Sequence, residues 1–186
     1  VPDDYFFENV EEVKRLLAEG VQEEGLTTFP ATSLIHNSGQ GHAKVATAVV
    51  DMWRKNLGIE VKIESQEFGI LLNNRTSKHY QIARAGWGAD YDDPMTYMDI
   101  FTSASGNNDT GWSHPDYDRL VKEAYEQVDP AKRMDKLIQA EKILMDGMVI
   151  MPIYYYTAIW MNKPHIKNVH IDYSGNIDFN RGYIER

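Results

Sequence analysis

Cysteine is missing from all 186 residues. Disulfides, zinc–thiolate sites and thiol nucleophiles are therefore excluded, while the redox compartment stays unread. A long hydrophobic run is missing too, since no apolar stretch approaches the roughly 20 residues of a membrane span. Positive charge is scarce: 19 Lys and Arg stand against 28 Asp and Glu, a net charge of -9. A phosphate backbone is repelled by that balance, so no nucleic-acid partner is expected. Neither a Gly-Lys-Ser/Thr phosphate loop nor a Gly-x-Ser-x-Gly elbow occurs. No signal-peptide or lipidation pattern is visible, and the sequence opens on Val1-Pro2 without an initiator methionine, as expected of a piece of a longer chain.

What is present reads as a globular domain. Hydrophobic residues make up 42% and charged residues 25%, ordinary values for a folded chain. The length suits one domain with a proper core or two very small ones, and a single domain over 1–186 is expected. Val10, Val13, Leu16 and Leu17 recur at helical spacing, with Asn9 as N-cap and Gly20 as the stop. A strand is expected near 33–36. A helix over 42–57 follows, carrying the rows Val45, Val49, Met52, Trp53 and Ala46, Val50, Leu57 and ending at Gly58. Ile59, Val61 and Ile63 alternate with Glu60, Lys62 and Glu64, the pattern of a half-buried strand. Further elements are a helix over 68–74, a strand over 81–87 and a helix over 95–101. Pro115 and Asp129-Pro130 each announce another helix, the second with Met134, Leu137, Leu144 and Met145 on one face. Residues 149–160 form an apolar and aromatic run whose Val, Ile and Tyr content reads as strand. Strands and helices interleave irregularly, so the fold class is α+β, loosely α/β.

The densest chemistry lies in Arg84-Ala85-Gly86-Trp87-Gly88-Ala89-Asp90-Tyr91-Asp92-Asp93-Pro94. Two glycines bracket a tryptophan, so the backbone there can approach a ligand closely. Asp92 and Asp93 read first as turn and cap, whereas Asp90 ends a loop after a strand, where binding residues gather. A calcium loop is disfavoured, because the mid-loop glycine and distal glutamate are absent and Phe101 occupies the latter's place. A glycosidase pair of Asp90 and Glu67 is conceivable, but nothing in the sequence joins them. The histidines lack metal-ligand spacing, and solvated or capping roles are expected for His36, His79, His114, His165 and His170. In the run Tyr154-Tyr155-Tyr156, alternation turns Tyr154 and Tyr156 to one face.

The segment from Ala83 to Pro94 resembles the strand-loop signature of the oligopeptide- and dipeptide-binding proteins of bacterial ABC importers. Supporting matches occur in the family's order: Asn37 to His42, Met52-Trp53-Arg54-Lys55-Asn56-Leu57-Gly58-Ile59, Ser65-Gln66-Glu67, Ala140-Glu141-Lys142-Ile143-Leu144 and Met151-Pro152-Ile153-Tyr154-Tyr155-Tyr156. The resemblance is greatest to the oligopeptide branch. It implies the C-terminal lobe of a two-lobed, type II periplasmic-binding fold, with residues from about 155 to 186 crossing back toward a preceding lobe. That lobe, with its signal peptide and lipid-modified cysteine, lies outside this sequence. The implied role is capture of oligopeptides for import, not catalysis, with no cofactor and no metal. The implied partners are the permease subunits of an ABC transporter. A monomer is implied, placed outside the cytoplasm as a cell-surface lipoprotein or in a periplasm.

Residue by residue, the resemblance makes Asp90 the carboxylate that meets the peptide α-ammonium. Trp87 and Gly88 line the first side-chain pocket and pair with the peptide backbone. Arg84, Arg75 and His42 match positions that meet the peptide carboxylate. Phe68 stands where relatives often carry tryptophan and Gly88 where others carry cysteine, and Tyr156 joins the ligand-binding set from the matched aromatic run. Such roles make chemical sense: main-chain and terminal charges give affinity to any peptide sequence, and arginine's planar donor fork suits a carboxylate. The competing expectations are a sibling that binds a signalling peptide, sugar or metal chelate, a carboxylate-dependent hydrolase, and a purely structural interaction domain.

Overall fold

The structure, a computed structural model, describes residues 8–172 and 175–185. The chain divides into two compact units, Val1–Gly86 with Asp109–Gly111, and Trp87–Asn108 with Trp112–Arg186.

In the first unit, α1 (Val10–Glu23), β1 (Thr32–Asn37), α2 (Gln40–Leu57), β2 (Val61–Gln66), α3 (Phe68–Thr76) and β3 (Ile82–Ala83) follow in order. The strands form one parallel sheet in the order β2-β1-β3, with Leu34 opposite Ile63 on one side and Ile82 on the other. Parallel neighbours need crossovers, and α2 and α3 provide them. As the middle strand, β1 buries both faces: Leu34 is 6% and Ile35 2% exposed. Leu34 joins Ala46, Val50 and Val61 in a core flanked by Phe29, Trp53, Ile63 and Ile82. The Ala46–Val50 row expected on α2 is thus its inward face. Gly58 ends α2 at φ 69°, a left-handed residue whose N–H bonds Arg54 O.

In the second unit, α4 (Met95–Met98) runs into a 3-10 turn at Asp99–Phe101 and is followed by α5 (Pro115–Glu126) and α6 (Pro130–Asp146). Pro at the start suits both long helices, and Asp129 caps α6 by accepting from the N–H groups of Ala131 (3.0 Å) and Lys132 (3.2 Å). Met95, Met98, Tyr117, Leu120, Val121, Ala124, Leu137, Ala140 and Leu144 share one core. Beyond it lie two short antiparallel ladders, β4 (Ile166–Lys167) with β7 (Tyr183–Ile184), and β5 (His170–Ile171) with β6 (Ile177–Asp178).

Four expectations are corrected. The first helix passes through Gly20 and ends at Glu23, and Gly25 (φ 67°) supplies the left-handed turn instead. One interior glycine costs a helix only about 1 kcal/mol. Asn9 does cap it, accepting from Glu12 N at 3.1 Å, but none of its residues is buried. The strand expected over 81–87 pairs only at Ile82–Ala83. Met134 lies exposed, whereas Leu137, Leu144 and Met145 are buried. Residues 149–163 contain no helix or strand, and 151–160 are exposed throughout. β-rich composition needs a neighbouring ladder to become a strand, and Pro152 removes one donor from any ladder there. Even so, the Tyr154 and Tyr156 rings meet edge to face at 5.0 Å, on one side as their alternation predicts.

Tyr117 is fully buried, its hydroxyl donates to Met98 O at 2.6 Å, and Trp112 packs edge-on against its ring at 5.0 Å. Tyr117→Phe leaves that carbonyl without its partner. The expected loss is about 1–3 kcal/mol, read from urea unfolding as a lower midpoint at unchanged slope.

Candidate functional site

After β3 the chain leaves regular structure from Arg84 until α4, so its shape is set by individual bonds. The three carboxylates of this stretch are held very differently. Asp93 accepts from Met95 N (2.8 Å) and receives a two-pronged fork from Arg133 of α6, Nη2 to Oδ1 at 2.7 Å and Nη1 to Oδ2 at 2.8 Å. The Arg133 guanidinium, helped by that N–H and opposed by burial, holds Asp93 below the usual carboxylate range. Asp93 thus bonds the start of α4 from one position ahead of its N-cap residue, Pro94, rather than as the cap expected from sequence, and it is also an ion-pair anchor that sequence did not reveal. Asp90 and Asp92 are exposed, and their carboxylates have no hydrogen-bond or ion-pair partner among the described residues. Asp90 differs from Asp92 in its backbone, whose N–H donates to Thr96 Oγ1 at 3.0 Å. Thr96 is itself 2% exposed.

Trp87, 40% exposed, and Gly88 precede Asp90 on the same stretch. A Cβ added at Gly88 meets nothing within 4 Å. The position has open space beside it, and backbone groups there are reachable. Tyr156, the remaining candidate of this unit, is exposed and touches Tyr154.

In the first unit, the carboxyl ends of β1 and β3 lie side by side. Arg84 N–H donates to Ile35 O at 2.8 Å, and its Nη1 donates to Asn37 Oδ1 at 3.2 Å. His42 sits in the first turn of α2, whose cap residue Gly39 offers no side-chain bond. Burial, then the charge of Arg84, then His36, lower the His42 pKa from its ordinary value. The charge of Arg84 thus disfavours protonation of His42. Arg75 is engaged elsewhere: its Nη2 lies 2.8 Å from Asp109 Oδ2, both side chains are 18% exposed, and the Tyr80 hydroxyl donates to Asp109 O at 2.8 Å. Phe68 opens α3 as an exposed ring. Glu67 caps that helix by accepting from Gly69 N (2.8 Å) and Ile70 N (3.3 Å), a local duty for the residue weighed as half of a hydrolase pair.

Two histidine expectations are corrected. His36 is buried on β1 with Nδ1 2.8 Å from Asn37 O. A middle parallel strand has no solvent face to offer it. His114 occupies the N-cap position of α5 without capping it. Its ring stacks near Trp112 at 5.8 Å, and its buried Nδ1 has no hydrogen-bond partner among the described residues. Among the described residues no group of three or more His, Asp or Glu gathers as a metal site. Thr96, Arg133 and Asp109 were missed. Arg133 lies forty positions from its partner, and nothing local marks it.

The first unit is a parallel three-stranded sheet with crossover helices, and the loop that follows it in sequence carries charges and bracketing glycines. The chain belongs to the bacterial extracellular solute-binding proteins, family 5, whose middle-region model matches residues 1–109. It is 36% identical to the oligopeptide-binding protein OppA of Bacillus subtilis (strain 168), over 97% of this chain and 34% of that protein. Among solved structures, the substrate-binding domain of an oligopeptide ABC transporter from Bacillus anthracis str. Ames superposes with a TM-score of 0.85 at 28% identity, covering 97% of this chain and 36% of that one. Haemophilus influenzae OppA in complex with RPPGFSPFR gives 0.75 at 35% identity, covering 85% and 31%. The chain spans about a third of the length of the curated relatives it matches. Its fold is a mixed helix-and-sheet part of a type II periplasmic binding protein, and the family is one of solute binders rather than enzymes.

His42 is expected to titrate below the ordinary histidine value of 6.5. Arg84→Met removes the Arg84 contribution and leaves burial and His36, so the His42 pKa should rise part of the way back in an NMR titration. An unchanged His42 pKa in that variant rules out that contribution.

Proposed function

We propose that the whole protein captures oligopeptides outside the cytoplasm for an ABC importer, delivering them to its permease subunits as a monomer held at the membrane by a lipid anchor. The supporting observation is the state of Asp90. It is an exposed carboxylate without a partner among the described residues, on a backbone tied to a buried threonine, next to Trp87 and Gly88. Family membership turns this arrangement toward solutes, and the OppA names of the relatives turn it toward peptides. In this reading Asp90 receives the α-ammonium of the peptide, an ion costly to remove from water without a counter-charge. Gly88 offers its main chain to the peptide as an added strand would, and Trp87 and Phe68 receive side chains. Arg84 and His42 are the groups for the carboxylate end. Arg75, also assigned there by family resemblance, would first have to release Asp109. Tyr156 completes the set as an aromatic surface.

The test compares free-amine and N-acetylated forms of one peptide on the whole protein. Asp90→Asn should weaken the free-amine form by on the order of 3 kcal/mol and the acetylated form far less. Calorimetric losses of equal size for both would remove Asp90 from the ammonium site and this reading with it.

A further inference from the structure

We infer that Arg133, on α6 and remote in sequence from every ligand candidate, is a positioning residue for the ammonium end of the ligand. It acts by locking the Asp90–Pro94 bend through Asp93. The inference rests on the proposed role of Asp90 and adds the device that makes that role precise.

Between β3 and α4 the chain has no ladder to hold it. An exposed carboxylate on such a stretch can point anywhere, and ordering it on binding costs conformational entropy. Two fixed points limit that freedom. One is the bond from Asp90 N–H to Thr96 Oγ1. The other is Asp93, whose two oxygens take three donors: Met95 N on Oδ1 and both arms of the Arg133 fork. Asp93 N also donates to Tyr91 O at 2.9 Å, and Thr96 N donates to Asp93 O at 3.2 Å, so the bend is closed from within as well. Shifting Asp93 therefore shifts Thr96 and the acceptor that seats Asp90.

Arg133 can serve as the anchor because its own base is rigid. It follows the Asp129 cap by one turn, its N–H donates to Asp129 O at 2.9 Å, and α6 places Leu137, Ala140 and Leu144 in the core of the unit. A planar guanidinium that meets a carboxylate with two parallel bonds fixes orientation as well as distance, which a lysine cannot do. The pair is partly shielded, with side-chain exposures of 24% for Arg133 and 32% for Asp93. The ligand meets neither partner in this reading, and the effect of the pair on binding passes through Asp90.

The experiment uses the whole protein carrying Arg133→Gln and the same free-amine and N-acetylated peptide pair. A positioning role predicts on the order of a tenfold loss for the free-amine peptide, a part of the loss expected from removing Asp90 itself, and less than about a twofold change for the acetylated one. Asp93→Asn should reproduce this, and the double variant should be no worse than either single one, since both remove one clamp. A loss of the same size for both peptides makes the pair a general structural brace and overturns the inference. So does no loss for either. Should Arg133→Gln fail to fold, Thr96→Val removes the acceptor for Asp90 N–H within a similar volume and must show the same selective loss. Asp90→Asn in parallel separates the two ideas. If it selects between the peptides while Arg133→Gln and Thr96→Val do not, the ammonium site stands and the positioning role falls.

Discussion

A loop without a β-ladder has to take its shape from side chains, and in this chain that requirement falls on the Arg133–Asp93 ion pair and the Thr96 hydroxyl. Along residues 84–94 the chain pairs with no strand, and Arg84 N–H donates to Ile35 O at the end of the sheet. From there on, the Arg133–Asp93 fork and the Thr96 hydroxyl take the place of strand neighbours. Division of labour among the acids follows from this. The Asp93 oxygens are taken up by Met95 N and the Arg133 fork and hold the bend, while Asp90 stays open to solvent.

The same substitution of side chains for ladder bonds recurs in the first unit. Only two residues of β3 pair with β1, and Gln81 extends the pairing by other means. Its Oε1 accepts from Ser33 N at 2.7 Å while its Nε2 donates to Ala31 O at 3.0 Å, so one amide does the work of a strand residue. Asn74 Nδ2 donates to Gln66 Oε1 at 3.0 Å, joining α3 to the end of β2. Asp109 is drawn into this unit by Arg75 through its side chain and by Tyr80 through its carbonyl.

How much of this was legible in the sequence depends on how local each cause is. The alternation through Val61 and Ile63, the row Ala46–Val50, the Asn9 cap, the helix start at Asp129-Pro130 and the Gly58 stop are near-neighbour effects, and they appear where expected. The helix passing Gly20 and the missing strand over 149–160 are cases where weak local preference was overruled or unsupported. Burial of His36 depends on β1 being the middle strand, a property of sheet order that no single segment carries. For the candidate site, the loop and its glycines could be read directly, position at the loop's end singled out Asp90 among three acids, and family resemblance suggested its role. The separation of Asp93 from Asp90 was half visible, as a capping signal. Arg133 was invisible, because a contact across forty positions leaves no periodic trace.

The exposed tract over 151–161 bears on how the protein is handled at the bench. Tyr154, Tyr155, Tyr156 and Trp160 stand on backbone outside any helix or strand, with Met151 and Met161 near its ends. Proteases bind their substrates as extended strands and clip exposed segments first. An enzyme with chymotrypsin-like preference therefore finds four sites here whenever nothing lies over them. The two methionines report the same condition through chemistry rather than cleavage, since peroxide reaches an exposed thioether and leaves a sulfoxide 16 Da heavier, roughly the mass of one oxygen atom.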